Sequence, residues 1–262
     1  MSSIRSKIRE LLPWPALYIY RKVRSLPQDL PYIVPFLFHT TITPTSFSWR
    51  FKMVGRCYYI SYKVDCPHME YEMIRVISAV LNTDPTVPGV IVEAGAYKGG
   101  STAKISLVAA YAKRTLCVFD SFEGLPLNKE DHGKNIYGGD AYFPGGSYAG
   151  SLDEVKTAVS KYGDPNACTF VKGWFENTMT QFQEPVAVGY IDVDLVSSTK
   201  TCLTYLFPRL IKNGVLFSQD GHLPLIIRLL KDASFWKNEV KTEPPRMEGL
   251  GTTKLVEIRQ TS

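Results

Sequence analysis

The stretch VIVEAGAYKGGST, Val90 to Thr102, is apolar for three residues, places an acid at Glu93, and then breaks into the glycines Gly95, Gly99 and Gly100. A short apolar run closed by glycine reads as a strand buried on both faces, and Thr102 to Ala112 continues with helical character. A second apolar run, Thr115 to Phe119, ends at Asp120. Strand, helix and strand within about thirty residues make a βαβ unit.

The same alternation extends on both sides of this unit. Upstream, His68 to Leu81 carries Met69, Met73, Ile74, Ile77 and Val80 at helical spacing and stops at Asn82-Thr83-Asp84-Pro85. Downstream, a helix at 152–162 leads to strands at 168–172 and 186–191. A helix at 199–210, a strand at 214–218, a helix at 223–232 and a last strand near 253–258 complete the series. Alternating β and α elements predict a doubly wound, mostly parallel α/β sheet. Between residues 121 and 150 the chain is crowded with glycine, aspartate and tyrosine, and residues 127–150 are expected to form a lid of binding loops without regular structure.

Composition sets the outer limits. A chain of 262 residues with 45% hydrophobic and 21% charged residues suits one α/β domain with additions. The five cysteines, Cys57, Cys66, Cys117, Cys168 and Cys202, form no C-x-x-C pair, which fits reduced thiols in a cytoplasmic protein. Much of the net charge of +5 comes from the first 25 residues, where Arg5, Lys7, Arg9, Arg21, Lys22 and Arg24 face only Glu10. The remainder is close to neutral, which argues against a nucleic-acid-binding face. Residues 1–67 read as an N-terminal arm whose apolar stretches, 11–20 and 30–38, are too short and too rich in proline to span a membrane. Such an arm is expected to pack on its own domain, to mediate a homodimer, or to rest on a membrane surface, and residues 68–262 are expected to form the α/β domain.

In doubly wound sheets ligands bind beyond the carboxyl ends of the strands. The residues at those ends are Glu93-Ala94-Gly95, Asp120-Ser121-Phe122, Asp192-Val193-Asp194 and Gln219-Asp220-Gly221-His222. The glycine spacing is G-x-x-x-G-G, neither the G-x-G-x-x-G of a pyrophosphate turn nor a P-loop. An acid after the first strand suits an amine or cation, and Asp120 after the second suits both hydroxyls of a ribose. A nucleoside carrying an amino acid and a sulfonium meets both demands. His222, at the start of a helix, reads as a solvent-facing residue or as a contact to acceptor or metal.

Five segments together resemble the macrocin O-methyltransferase family of class I S-adenosylmethionine-dependent methyltransferases. They are VEAGAYKGGS at 92–101, FDSFEGLP at 119–126, KGWFENT at 172–178, IDVDL at 191–195 with Ser198-Thr199, and LFPRL at 206–210. The resemblance implies a seven-stranded, Rossmann-like sheet and transfer of a methyl group to a sugar hydroxyl of a natural product or glycan. It implies that Glu93, Ala94, Gly95, Tyr97, Gly99 and Ser101 hold the methionine part of the cofactor. Asp120, Ser121 and Phe122 would hold the ribose, and Gly173, Trp174 and Phe175 would lie near the adenine. Asp192 would serve both cofactor and magnesium, with Asp220 as a second ligand and Asp194 as the catalytic base. The family's Asp-Asp pair is here Gln219-Asp220, so Gln219 is expected to offer magnesium a neutral amide oxygen. A metal-independent methyltransferase acting on another small molecule, a non-catalytic cofactor-binding protein, and an NAD-linked oxidoreductase are the alternatives, the last opposed by the glycine spacing.

Overall fold

In the computed structural model, residues 14–260 are described. The basic residues Arg5, Lys7 and Arg9, expected to give the arm its charge, lie outside them. Helices α1 (Trp14–Phe38), α2 (Phe47–Lys63) and α3 (Glu70–Leu81) come first. The βαβ unit then appears as β1 (Val90–Ala94), α4 (Gly100–Tyr111) and β2 (Leu116–Asp120). A two-stranded antiparallel hairpin, β3 (Asp131–Lys134) and β4 (Asp140–Tyr142), follows. The rest of the alternation is α5 (Leu152–Tyr162), β5 (Cys168–Lys172), α6 (Phe175–Thr178), β6 (Val186–Ile191), α7 (Val196–Leu206), β7 (Leu210–Ser218) and α8 (Pro224–Lys231). Two short strands, β8 (Arg246–Glu248) and β9 (Val256–Arg259), end the chain.

The main sheet has seven strands in the order β5-β2-β1-β6-β7-β9-β8, and β9 runs antiparallel to both of its neighbours. The order reverses direction between β1 and β6, so the crevice at their carboxyl ends is where a ligand is expected. Apolar residues facing one side of the sheet pack with α3, α4 and α5, and those facing the other pack with α7 and α8. β8 escaped the sequence reading because three residues beside Pro244-Pro245 carry no readable period.

α1 contains Pro27, Pro31 and Pro35 yet remains one helix. Their spacing of four keeps them near one stripe, where Pro27 and Pro31 are exposed and the carbonyls they leave unpaired can meet water. The opposite stripe, Ser25, Asp29, Ile33 and Phe36, is buried. Asp29 is satisfied there by Ser25 Oγ at 2.9 Å, Tyr58 Oη at 2.8 Å and the Tyr71 amide at 3.1 Å. Ile33, Phe36, Met53, Cys57 and Ile60 join the same core as the sheet, so the described part of the arm packs on its own domain. Phe38, Ile42, Phe47 and Phe51 remain exposed on its outer side. No helix among the described residues is long and apolar enough to cross a membrane.

Residues 127–150 differ from the structureless lid expected. The β3–β4 hairpin is fastened to the domain through Glu130, whose carboxylate accepts the amides of Val196 at 2.6 Å and Ser197 at 3.1 Å at the start of α7. The Ile136 amide also donates to the His222 carbonyl at 3.1 Å. Alternation in a hairpin this short, within a glycine-rich segment, is below what periodicity can reveal.

Gly95 fixes the geometry of the crevice. Its φ is +90°, and a Cβ there would fall 2.0 Å from the carbonyl oxygen of Asp192. The β1 and β6 turns thus touch backbone to backbone. Gly95→Ala is expected to cost about 2 kcal/mol or more and to lower the melting temperature by roughly 4–8 °C in a thermal melt.

Candidate active site

One cavity opens at the carboxyl edge of the sheet. It is walled by the Asp65–His68 segment, the turn containing Gly95 and Tyr97, the β2 end at Asp120 and Ser121, and the Trp174-Phe175-Glu176 segment. Asp192, Asp194, Gln219, Asp220, His222 and Lys254 form its far side, and Phe143 and Tyr148 reach over it from the segment containing the hairpin.

Asp120 closes β2. Its Oδ2 accepts the Ala96 amide at 2.6 Å and its Oδ1 accepts the Phe122 amide at 2.6 Å, which ties the first turn to the second. Each oxygen keeps a lone pair for a further donor. Burial raises its pKa even against these hydrogen bonds. The Gly173 amide donates to the Asp120 carbonyl at 2.9 Å and so brings Trp174 and Phe175 beside this carboxylate. A carboxylate with two aromatic neighbours is suited to a ribose joined to a flat base.

Opposite lies an acidic cluster. Asp192, Asp194 and Asp220 can each offer an oxygen within 4.8 Å of the others. Asp220 Oδ2 accepts the amides of Asp194 at 3.0 Å and Val193 at 3.3 Å, which holds Asp194 in a left-handed conformation with φ of 59°. Burial first, then repulsion from Asp220, raises Asp192 and Asp194 well above the ordinary carboxylate range. Burial also pushes Asp220 up to about 6, against the lowering effect of the two amides. The Lys254 side chain, part of the same wall, favours ionisation of all three.

Of the residues singled out in the sequence, Gly95, Tyr97, Ser101, Asp120, Ser121, Trp174, Phe175, Asp192, Asp194, Gln219 and Asp220 line this cavity. Glu93, Ala94, Gly99, Phe122 and Gly173 do not. Ala94 and Phe122 are core residues, while Gly99 and Gly173 shape turns at φ of 82° and 144°. Glu93 is fully buried behind the glycine turn and is not part of the cavity wall. Burial pushes its carboxyl up to about 7, and neither Glu93 oxygen has a hydrogen-bond partner among the described residues.

His222 is not solvent-facing. It lines the cavity, its ring stacks on Tyr137 at 6.1 Å, and its buried Nδ1 has no partner. Burial, aided by Lys254, lowers its pKa to about 4, so it stands neutral. Sequence reasoning also missed Lys254, Tyr148 and the Asp65–His68 wall, which come from segments without motif spacing.

Gln219 has a structural cause. Its Nε2 donates to Glu72 Oε2 at 2.7 Å, and Glu72 is a buried residue of α3 whose pKa is raised by burial. An aspartate at 219 would set a second buried carboxylate against Glu72. The amide relieves that repulsion and leaves Oε1 buried without a partner in the cavity wall.

Residues 67–240 match the family model described as macrocin-O-methyltransferase. The chain belongs to the macrocin O-methyltransferase family. It is 32% identical over 143 residues to demethyldecarbamoylnovobiocin O-methyltransferase of Streptomyces niveus, covering 51% of this chain and 53% of that protein. It is 32% identical over 139 residues to the 8-demethyl-8-(2,3-dimethoxy-alpha-L-rhamnosyl)-tetracenomycin-C 4'-O-methyltransferase of Streptomyces olivaceus, again covering 51% and 53%. The matches thus span about half the length of these curated relatives. The fold is that of the O-methyltransferase NovP, with a TM-score of 0.58 at 22% identity over 74% of this chain and 83% of that one. The calicheamicin methyltransferase CalS11 superposes with a TM-score of 0.53 at 19% identity over 82% of this chain and 93% of its own.

Within this family site, the Gln219–Glu72 contact is open to a double-mutant cycle. Gln219→Asp is expected to lower unfolding free energy by about 1–3 kcal/mol in urea titrations at neutral pH, and Glu72→Gln in the same chain to restore most of the loss.

Proposed function

We propose that this protein transfers a methyl group from S-adenosylmethionine to a hydroxyl of a sugar in a natural product or glycan. The observation that carries the reading is a single cavity with Asp120, Trp174 and Phe175 at one end and the acids Asp192, Asp194 and Asp220 at the other. The first group suits the nucleoside, and the second suits the oxygen to be methylated. The name of one relative, which specifies a rhamnosyl group and a 4'-position, supports the sugar acceptor.

Bound S-adenosylmethionine supplies an electrophilic methyl carbon on a sulfonium that leaves as a neutral thioether. Asp120 accepts from the ribose hydroxyls, and Trp174 and Phe175 flank the base. Asp194, whose carboxylate stands beside Asp192 and Asp220 in the cavity wall, takes the acceptor's hydroxyl proton. Phe143 and Tyr148, from the segment that serves as the lid, limit water around the reacting atoms. Positioning the hydroxyl in line with carbon and sulfur then provides much of the rate.

The acidic cluster fits a magnesium ion, because Asp192, Asp194 and Asp220 can each offer a carboxylate oxygen within 4.8 Å of the others, the hard oxygen donors that magnesium prefers. Asp192, Asp220 and the unpartnered Gln219 Oε1 would hold it, next to Asp194. Magnesium would supply Lewis acidity toward the acceptor hydroxyl.

Two measurements test this reading. In calorimetric titration with S-adenosylhomocysteine, wild-type protein is expected to bind and Asp120→Ala to bind about 10- to 100-fold more weakly; equal affinity would remove the ribose assignment. Asp194→Asn is expected to keep cofactor affinity within about threefold while turnover on an accepted sugar substrate falls about 10²- to 10⁴-fold.

A further inference from the structure

The outer side of the arm is uncharged over much of its length. From Leu26 to Trp49 the chain has no Lys, Arg or Glu, and its single Asp, Asp29, is buried. The exposed side of α1 is a stripe of Val23, Leu26, Leu30, Val34 and Phe38 at helical spacing. Phe38, 69% exposed, has its ring 5.5 Å from that of Phe47 at the start of α2, and the Phe47 ring lies 6.2 Å from that of Phe51, itself 64% exposed. With Ile42 in the connecting turn, these side chains make one apolar surface that runs over both helices. A contiguous apolar surface of this kind marks a site of interaction.

Charge at its margin selects the occupant. Lys52, Arg56 and Lys63 stand exposed along α2, a helix without an acid, and between residues 14 and 63 Asp29 is the one acid in the sequence. In a two-fold dimer through this face, cations would meet cations with no counter-charge, whereas an anionic surface neutralises them. The backbone of α1 points the same way. Pro27, Pro31 and Pro35 lack the amides that would meet the carbonyls of Val23, Pro27 and Pro31, and those three residues are exposed on one side of the helix. Sealed against a dry protein surface, these carbonyls would lose water without gaining a donor. The hydrated headgroup layer of a bilayer leaves them wet.

We propose that this face docks on the surface of an anionic lipid bilayer. Phe38, Ile42, Phe47 and Phe51 enter the boundary between headgroups and acyl chains, α1 lies along the headgroups, and Lys52, Arg56 and Lys63 pair with lipid phosphates. Insertion stops at that boundary, because no helix among the described residues is long and apolar enough to cross. α2 ends at Lys63, and Asp65 just beyond it belongs to the wall of the active-site cavity, so the helix that touches the bilayer leads directly into that wall. The attachment uses no side chain of the cavity, and it stands or falls independently of the methyltransferase reading.

The test is flotation of the full chain with vesicles of phosphatidylcholine, alone or mixed equally with phosphatidylglycerol. Wild-type protein is expected to bind the mixed vesicles at least about tenfold more tightly than the neutral ones, and to lose most of that preference in about 1 M salt. The triple variant Phe38→Ser, Phe47→Ser, Phe51→Ser is expected to bind mixed vesicles at least about tenfold more weakly. Lys52→Gln with Lys63→Gln is expected to weaken binding to mixed vesicles about 5- to 20-fold and to leave neutral vesicles within about threefold. Thermal melts establish that each variant is folded. If the triple variant is not, Phe38→Ser alone decides the outcome, with an expected loss of at least about threefold. No binding by the wild type, equal binding to both vesicles, or unchanged binding by the phenylalanine variants overturns the proposal. Sedimentation velocity covers the rival occupant: a wild-type dimer that the phenylalanine variants dissociate, without vesicle binding, assigns the face to a second copy and overturns the proposal as well.

Discussion

Asp192, Asp194 and Asp220 bring three carboxylates within 4.8 Å of one another in one wall of the cavity, and the repulsion among them constrains what is placed around them. Asp220 is held in this position by two backbone amides from the turn after β6, so the ends of β6 and β7 cannot separate without releasing it. Gly95 ties the β1 turn to the same place through the Asp192 carbonyl. The ends of β1, β6 and β7 are therefore one mechanical unit, and the cavity inherits its rigidity from them.

The neighbours of the cluster answer its charge. Gln219 is neutral where a further acid would face Glu72, Lys254 stands in the same wall, and His222 remains an uncharged ring stacked on Tyr137. Charge of the opposite sign is buried next to the Asp65–His68 segment, where the Lys104 ammonium meets His68.

Much of the architecture was legible because parallel strands buried on both faces must be apolar runs. The expected ranges 168–172 and 186–191 match β5 and β6, and the expected helix at 152–162 matches α5, which Ser151 and Glu154 cap reciprocally. β7 begins at Leu210 rather than 214 because Lys212 and Asn213 interrupt the apolar pattern while the strand runs through them as an irregularity, with Asn213 at φ of 65°. The β3–β4 hairpin stayed hidden because its three- and four-residue strands are set by glycine turns and by Glu130 reaching α7, neither of which has a period.

For the site, the division follows from how chemistry is encoded. The sequence by itself determined which acids stand at strand ends, since the topology of a doubly wound sheet sends every such residue to one edge. Asp120, Asp192, Asp194 and Asp220 were readable for that reason. Only the tertiary structure decided that Glu93 lies beneath the wall instead of in it, that Gln219 answers Glu72 across 147 positions of sequence, and that Lys104 stands behind His68. Those are matters of burial and pairing between distant segments, and burial, more than residue type, sets whether a carboxyl, an amide or an ammonium is ionised, paired or available to a ligand.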